Sequence, residues 1–228
     1  MNGISDIQEH MPRRFRNRRE AGRLLATRLL HFANRRDVVI LALPRGGVPV
    51  AYEVAVAIGA PLDVFTVRKL GVPGHEEFAM GAIGSGGAYV LNSEVIDALH
   101  IPHAQVEDVT ERERKELNRR EHLYRDSRPF PKLEGSTVIL IDDGIATGAS
   151  MIVAVKALQQ KSPRKIVVAV PVAPPDVLTA LRAYADEVIY YETPEPFGGV
   201  GAWYADFSQV TDDEVRGLLD QASLRWTS

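Results

Sequence analysis

The stretch VILIDDGIATGAS (Val138–Ser150) sets four branched apolar residues ahead of two adjacent acids, Asp142 and Asp143, and then a run of small residues. Two ionised carboxylates this close repel each other and call for donors or a cation. A polyol supplies hydroxyl donors, and Mg2+ supplies charge. Gly144, Ala146, Gly148 and Ala149 leave the backbone accessible, while Thr147 and Ser150 add hydroxyls. A helix beginning near Gly148 would point its first N–H groups into this loop and form an anion cradle. Sugar hydroxyls on one side and a phosphate on the other describe a sugar phosphate. The spacing is neither a Walker loop nor GxGxxG. The letters DDG also suit a plain strand-to-helix turn with an Asp as N-cap.

Three further segments carry candidate chemistry. In LALPRGGVPVA, Gly46 and Gly47 permit close backbone approach to an anion, and Arg45 can bind phosphate oxygens bidentately. A turn with a solvated Arg accounts for the same letters. FTVRKL ends in the cations Arg68 and Lys69, which a solvated strand end would also explain. The tail ETPEPFGGVGAWYADFSQV gathers Phe197, Trp203, Tyr204 and Phe207 in a Gly- and Pro-rich context. An aromatic face there suits a planar base, although such a tail can equally pack on the sheet or on a second subunit.

The elements that must position these loops follow from periodicity. An amphipathic helix is expected over about 13–34, then a buried strand over Asp37–Leu43 and a helix stopped at Gly59. PLDVFTVRKL reads as the second strand. The Gly-rich segment 70–87 reads as a mobile loop leading to a hairpin, with His75, Glu76 and Glu77 as acid–base candidates or plain solvated polarity. AYVLN is a short strand, and Val106–Arg125 a charged helix whose acids and bases nearly balance. STVILID, a helix from about Gly148 to Gln160, KIVVAVPV, a short helix after APPD, EVIYYE and the helical DDEVRGLLDQA complete the chain. Strands alternating with helices imply an α/β fold with a mainly parallel sheet flanked by helices. Ligands in such sheets sit at the carboxyl ends of the strands, and the loops at Pro44, Lys69 and Asp142 all follow strands.

The 228 residues suit one domain, 1–228, with the N-terminal helix and a segment of about 192–222 as a small hood or packing extension. Net charge is −3, so nothing global favours nucleic acid or an anionic membrane. The absence of cysteine excludes disulfides and thiol catalysis. The start MNGISDIQEHMPRRF lacks a secretory apolar core, and no apolar run approaches the ~20 residues of a membrane span. A cytoplasmic protein is expected.

Over its full thirteen residues, VILIDDGIATGAS resembles the phosphoribosyl-diphosphate motif of the type I phosphoribosyltransferases: four apolar residues, two acids, a variable pair, then small–Thr–Gly–small–Ser/Thr. The resemblance extends over roughly Phe15 to Val215 and, through VRKLGVPG and the tail, is strongest to bacterial phosphoribosyltransferase-domain proteins of unassigned acceptor. It implies a Rossmann-like core with a hood. Asp142 and Asp143 would hold the ribose hydroxyls, and Ala146, Thr147, Gly148, Ala149 and Ser150 the 5′-phosphate. Arg45, Gly46 and Gly47 would hold the diphosphate, with a cis peptide before Gly46 or Gly47; the orotate and adenine members carry a VRK matching Arg68 and Lys69.

The implied reaction moves ribose 5-phosphate from phosphoribosyl diphosphate to a small, planar nitrogen acceptor, with Mg2+ as cofactor and release of diphosphate. Catalytic roles would fall to Asp142, Asp143 and Lys69, a weakly marked acceptor pocket to Phe197, Trp203 and Tyr204, and any metal contact to the acid pair. A homodimer is implied as well. The chain departs from the pattern in having no lysine in the loop after Lys69. Ala146 stands where the 6-oxopurine enzymes have an Asp, which argues against hypoxanthine or guanine, and the complete acid pair is unlike the uracil enzymes. Two other readings are a non-catalytic phosphoribosyl-diphosphate sensor and the diphosphokinase that makes this donor. The chain shows no added helix-turn-helix for the former and no second related domain for the latter.

Overall fold

In the computed structural model the described residues are 14–125 and 128–226. The N-terminal start MNGISDIQEHMPR and the first residue of the expected N-terminal helix lie outside them. Helix α1 runs Arg18–Leu29. Its start is set by a reciprocal cap: Asn17 accepts from the Glu20 backbone N–H at 3.0 Å, and Glu20 reaches back to the Arg16 N–H at 2.6 Å.

Strands β1 (Val38–Ala42), β2 (Leu62–Val64), β6 (Thr137–Ile141), β7 (Lys165–Val172) and β8 (Glu187–Glu192) form one sheet in the order β2-β1-β6-β7-β8. Every pairing in it is parallel. All five residues of β6 are buried, which is why TVILI shows no alternation: helices cover both faces. Helix α2 (Gly47–Ile58) closes with Gly59 in the left-handed region at φ 69°, as its stop signal requires. Helix α5 (Ala149–Gln159), α6 (Pro175–Leu181) and α7 (Asp212–Trp226) complete the layers.

The order of strands places the switch point between β1 and β6. From β1 the chain steps outward to β2, and from β6 it steps the opposite way to β7 and β8. The loops leaving β1 and β6 therefore part to opposite sides and open a crevice at the carboxyl ends. They are PRGG and DDGIATGAS.

Two expectations are corrected. PLDVFTVRKL is not one strand: β2 ends at Val64, Phe65 turns inward and is fully buried, and the chain resumes as β3 (Val67–Val72) in a second sheet. A continuous β-favouring run carries no mark of which sheet each half joins. The segment 70–87 is not an irregular loop either. It contains β4 (His75–Gly84), antiparallel to β3, and leads to β5 (Ala88–Leu91) in a three-stranded sheet of order β3-β4-β5. Pro73 and Gly74 make the β3–β4 turn, with Gly74 at φ 78°. Glycines masked the strand period, but Gly71 and Gly81 are wanted for closeness. A Cβ on them would lie 2.8 Å from the Glu76 carbonyl oxygen and 2.5 Å from that of Val90.

Helix α3 (Ser93–Ala98), capped by Asn92, was not expected, and α4 (His103–Arg125) starts three residues earlier than the charge pattern suggested. Leu70, Val72, Met80 and Ile83 of the hairpin pack on Val106, Val109 and Leu117 of α4. The far end of α4 is tied to the main sheet by Arg125, buried and bonded to Asp63 at 2.8 Å and Glu121 at 2.8 Å. Among the described residues no helix is long and apolar enough to cross a membrane.

Candidate active site

Asp142 and Asp143 stand at the end of β6, half-buried and in one corner of the crevice. Asp142 Oδ1 accepts from the Asp143 N–H at 2.8 Å, so the pair is fixed by its own backbone. Burial and the neighbouring Asp143 charge raise the Asp142 carboxyl well above the usual carboxylate range. Burial also raises Asp143, with Arg18 pulling the other way. Like charges held in a partly desolvated corner favour whatever supplies donors or positive charge.

Beyond the acids, Gly148 takes φ 78°, a conformation that suits glycine, and α5 begins at the next residue. Ala146, Thr147, Ala149 and Ser150 are exposed around that turn. The helix N-terminus thus faces solvent beside the acid pair, as an anion cradle needs.

The loop after β1 comes directly against the acids. A Cβ on Gly46 would lie 2.7 Å from Asp143 Cγ, and one on Gly47 2.7 Å from the Ile141 carbonyl oxygen and 2.9 Å from Asp142 Cα. A side chain on Gly46 would thus collide with the Asp143 carboxylate, and one on Gly47 with the backbone at the end of β6. The cis peptide is Pro44–Arg45, not a bond before Gly46 or Gly47. The glycines instead lead into α2: Gly46 is helical at φ −59°, and the Gly47 N–H donates to the Leu43 carbonyl at 3.1 Å.

The cations part company. Lys69 is exposed and lines a cavity of about 220 Å³ with Pro44, Thr66, Arg120, Asp142 and Ser150. Arg68 donates through Nε to Glu113 of α4 at 2.9 Å and is committed there, away from the expected diphosphate position. Neighbouring strand residues point to opposite faces, so a VRK run cannot deliver both cations to one cavity. Arg45 lines an adjoining cavity of about 420 Å³ with Arg119, Arg120, Tyr124 and Asp212; its Nη1 lies 3.9 Å from Asp212.

The tail packs against the acid loop and presents no open aromatic face to the cavities beside it. Tyr204 is 1% exposed, packs on Phe15 and Phe207 at centroid distances of 5.4 and 5.2 Å, and donates its hydroxyl to the Asp143 carbonyl. Burial pushes that hydroxyl up. It braces the acid loop and has no free face for a base. Trp203 Nε1 donates to the Phe197 carbonyl at 2.8 Å, and both rings pack partly buried against the same cluster. Val200 sits against Gly144, where a Cβ would approach to 2.6 Å.

Arg18 is the residue that sequence reasoning missed. Its Nε donates to Asp143 Oδ2 at 2.7 Å, with both side chains nearly buried, and its Nη1 donates to the Ser208 carbonyl at 2.8 Å. The guanidinium also stacks 4.0 Å from the Phe207 centroid. It lies among several arginines in RRFRNRREAGR, and nothing in that spacing separates it from solvated neighbours.

Residues 15–201 match the family profile described as a phosphoribosyl transferase domain. The chain belongs to that family. Two Mycobacterium tuberculosis proteins, one from each of two strains and each carrying only a provisional name as a phosphoribosyl transferase, are 45% identical over 208 residues, 91% of this chain. The chain spans about half the length of these curated relatives, 47%. The crystal structure of TT1426 from Thermus thermophilus is 46% identical, superposes with a TM-score of 0.82, and covers 91% of this chain and 98% of its own.

Proposed function

We propose that the protein is a Mg2+-dependent phosphoribosyltransferase that moves ribose 5-phosphate from phosphoribosyl diphosphate to a small nitrogen acceptor and releases diphosphate. One observation carries the reading. Two glycines of the β1 loop are pressed against the acid pair of the β6 loop, which supports a diphosphate cradle and a ribose–phosphate grip side by side. In this reading Asp142 and Asp143 accept from the ribose hydroxyls, and residues 146–150 bind the 5′-phosphate through backbone N–H groups and the Thr147 and Ser150 hydroxyls. Lys69 and the loop at Arg45, Gly46 and Gly47 take the diphosphate.

The acid pair and substrate oxygens fit a Mg2+ ion, since that cation is commonly bound by one or two carboxylates together with phosphates. Among the described residues no cluster of three potential ligands exists to hold it without substrate. When bound it would offset charge developing on the leaving diphosphate. Arg18 then has to share or yield Asp143 as the donor arrives. Departure of diphosphate leaves positive charge on the ribose ring, and the fixed carboxylates beside it need no reorganisation.

The Arg18–Asp143 ion pair and the lysine-free hairpin after Lys69 also favour a second reading, a regulator that binds phosphoribosyl diphosphate without turnover. Incubation with phosphoribosyl diphosphate, Mg2+ and a panel of planar bases and amines, with diphosphate release measured, separates the two. Release that depends on one acceptor supports the transferase. Tight binding with no release on any acceptor supports the regulator.

A further inference from the structure

The cation count around the 220 Å³ cavity differs from the sequence motif. Of the motif cations, only Lys69 lines it: Arg68 is held by Glu113, and Arg45 lines the neighbouring cavity. A second cation comes from α4. Arg120 lines the wall with Lys69, Asp142 and Ser150, anchored only through Nε to Glu116 at 2.8 Å. Among the described residues its terminal nitrogens make no hydrogen bond. Arg119 on the same helix binds the same Glu116 carboxylate at 2.8 Å but does not line this cavity.

A second, independent observation comes from another residue lining this cavity. Thr66 is 2% exposed and lines the cavity, and its Oγ1 is a buried side-chain oxygen without a hydrogen-bond partner. Its backbone is fully engaged, donating to Ser85 Oγ at 2.9 Å and accepting from the Ser85 N–H at 3.0 Å. A buried hydroxyl left unpaired is destabilising, and the same position would hold a valine of nearly the same shape at no such penalty. A free guanidinium fork, an ammonium and an orphan hydroxyl around one cavity describe a receptor for a multiply charged oxyanion.

We propose that Arg120 and Thr66 are diphosphate-binding residues, forming with Lys69 a pocket for the diphosphate portion of the donor. The inference rests on the donor reading above. The guanidinium fork meets terminal phosphate oxygens while Nε stays on Glu116, and the Thr66 hydroxyl satisfies itself on the same group. Arg120 is borne by the helix that also covers the β3–β4 hairpin, so occupancy of this pocket would be felt by the element carrying Lys69.

The test uses calorimetry of the full chain with two probes in Mg2+, inorganic diphosphate and ribose 5-phosphate. Arg120→Ala should weaken diphosphate about tenfold or more and leave ribose 5-phosphate within about twofold. Arg120→Lys should recover part of the loss. Arg119→Ala, which removes an equal charge from the same carboxylate, should leave both probes unchanged. Thr66→Val should raise the melting temperature without ligand while weakening diphosphate, and Thr66→Ser should bind like the parent. Equal losses in Arg119→Ala and Arg120→Ala would mean long-range charge and overturn the proposal, as would Thr66→Val with full diphosphate affinity. If the parent binds both probes and Arg120→Ala changes neither affinity, this inference alone falls. A parent that binds neither probe removes the donor reading with it.

Discussion

Gly46→Ala tests the contact on which the site depends. Gly46 has helical dihedrals, φ −59° and ψ −35°, so alanine is not strained by its backbone. The whole penalty arises from the new methyl group, placed 2.7 Å from Asp143 Cγ and closer still to Oδ2. Overpacking of this kind costs about 1–3 kcal/mol. At roughly 2–4 °C per kcal/mol for a chain of this size, melting should fall by about 2–12 °C. Asp143→Ala removes the obstructing carboxylate, so in that background the Gly46 substitution should cost under about 0.5 kcal/mol. A double-mutant cycle by denaturant unfolding should therefore show about 0.5–3 kcal/mol of coupling. Gly47→Ala is the contrast: its methyl meets the Ile141 carbonyl and Asp142 Cα, which are backbone, and Asp143→Ala should not relieve it. Additive Gly46 and Asp143 effects would refute the apposition of the two loops.

Asp142→Asn should raise the melting temperature in a pH-dependent way. Burial and Asp143 raise the Asp142 pKa in the fold, so stability present below the unfolded value near 4 is lost as pH rises through the folded value. The variant escapes that loss, and its advantage should grow as pH rises above the unfolded value; a constant offset in thermal melts would contradict the argument. Arg18→Ala leaves a nearly buried Asp143 carboxylate without its cation and should cost about 2–4 kcal/mol by chemical unfolding, with Arg18→Lys recovering only part because the ring stack is lost. Lys69→Ala should weaken diphosphate binding with little change in stability, whereas Arg68→Ala should do the reverse, since Arg68 is committed to Glu113. Equal effects on both measures would erase the distinction between the two cations.

Strand β6 and the helix after it could be read directly from VILIDDGIATGAS, because a doubly buried strand is a continuous apolar run and the small residues after it mark a close approach. The same holds for KIVVAVPV and EVIYYE, whose boundaries coincide with β7 and β8. Alternation of strands and helices was enough to place the loops at Pro44 and Asp142 at one end of a parallel sheet, whereas Lys69, expected to follow a strand of that sheet, lies within β3 of the second one. What could not be read depends on distant contacts. The break at Phe65 is decided by burial in the core, the hairpin at 67–84 by the α4 face that covers it, and the role of Tyr204 by a carbonyl 61 positions away. Arg18 and Arg120 look like solvated charges because nothing local distinguishes them from the arginines beside them. Only tertiary placement singles them out.

The most direct test is calorimetric titration of phosphoribosyl diphosphate in Mg2+ into the parent protein, Asp142→Asn and Asp143→Asn, each checked for folding by circular dichroism. The account predicts saturable one-site binding to the parent, weakened about tenfold or more by either substitution. Undiminished affinity in both variants would show that the donor is not held at the end of β6.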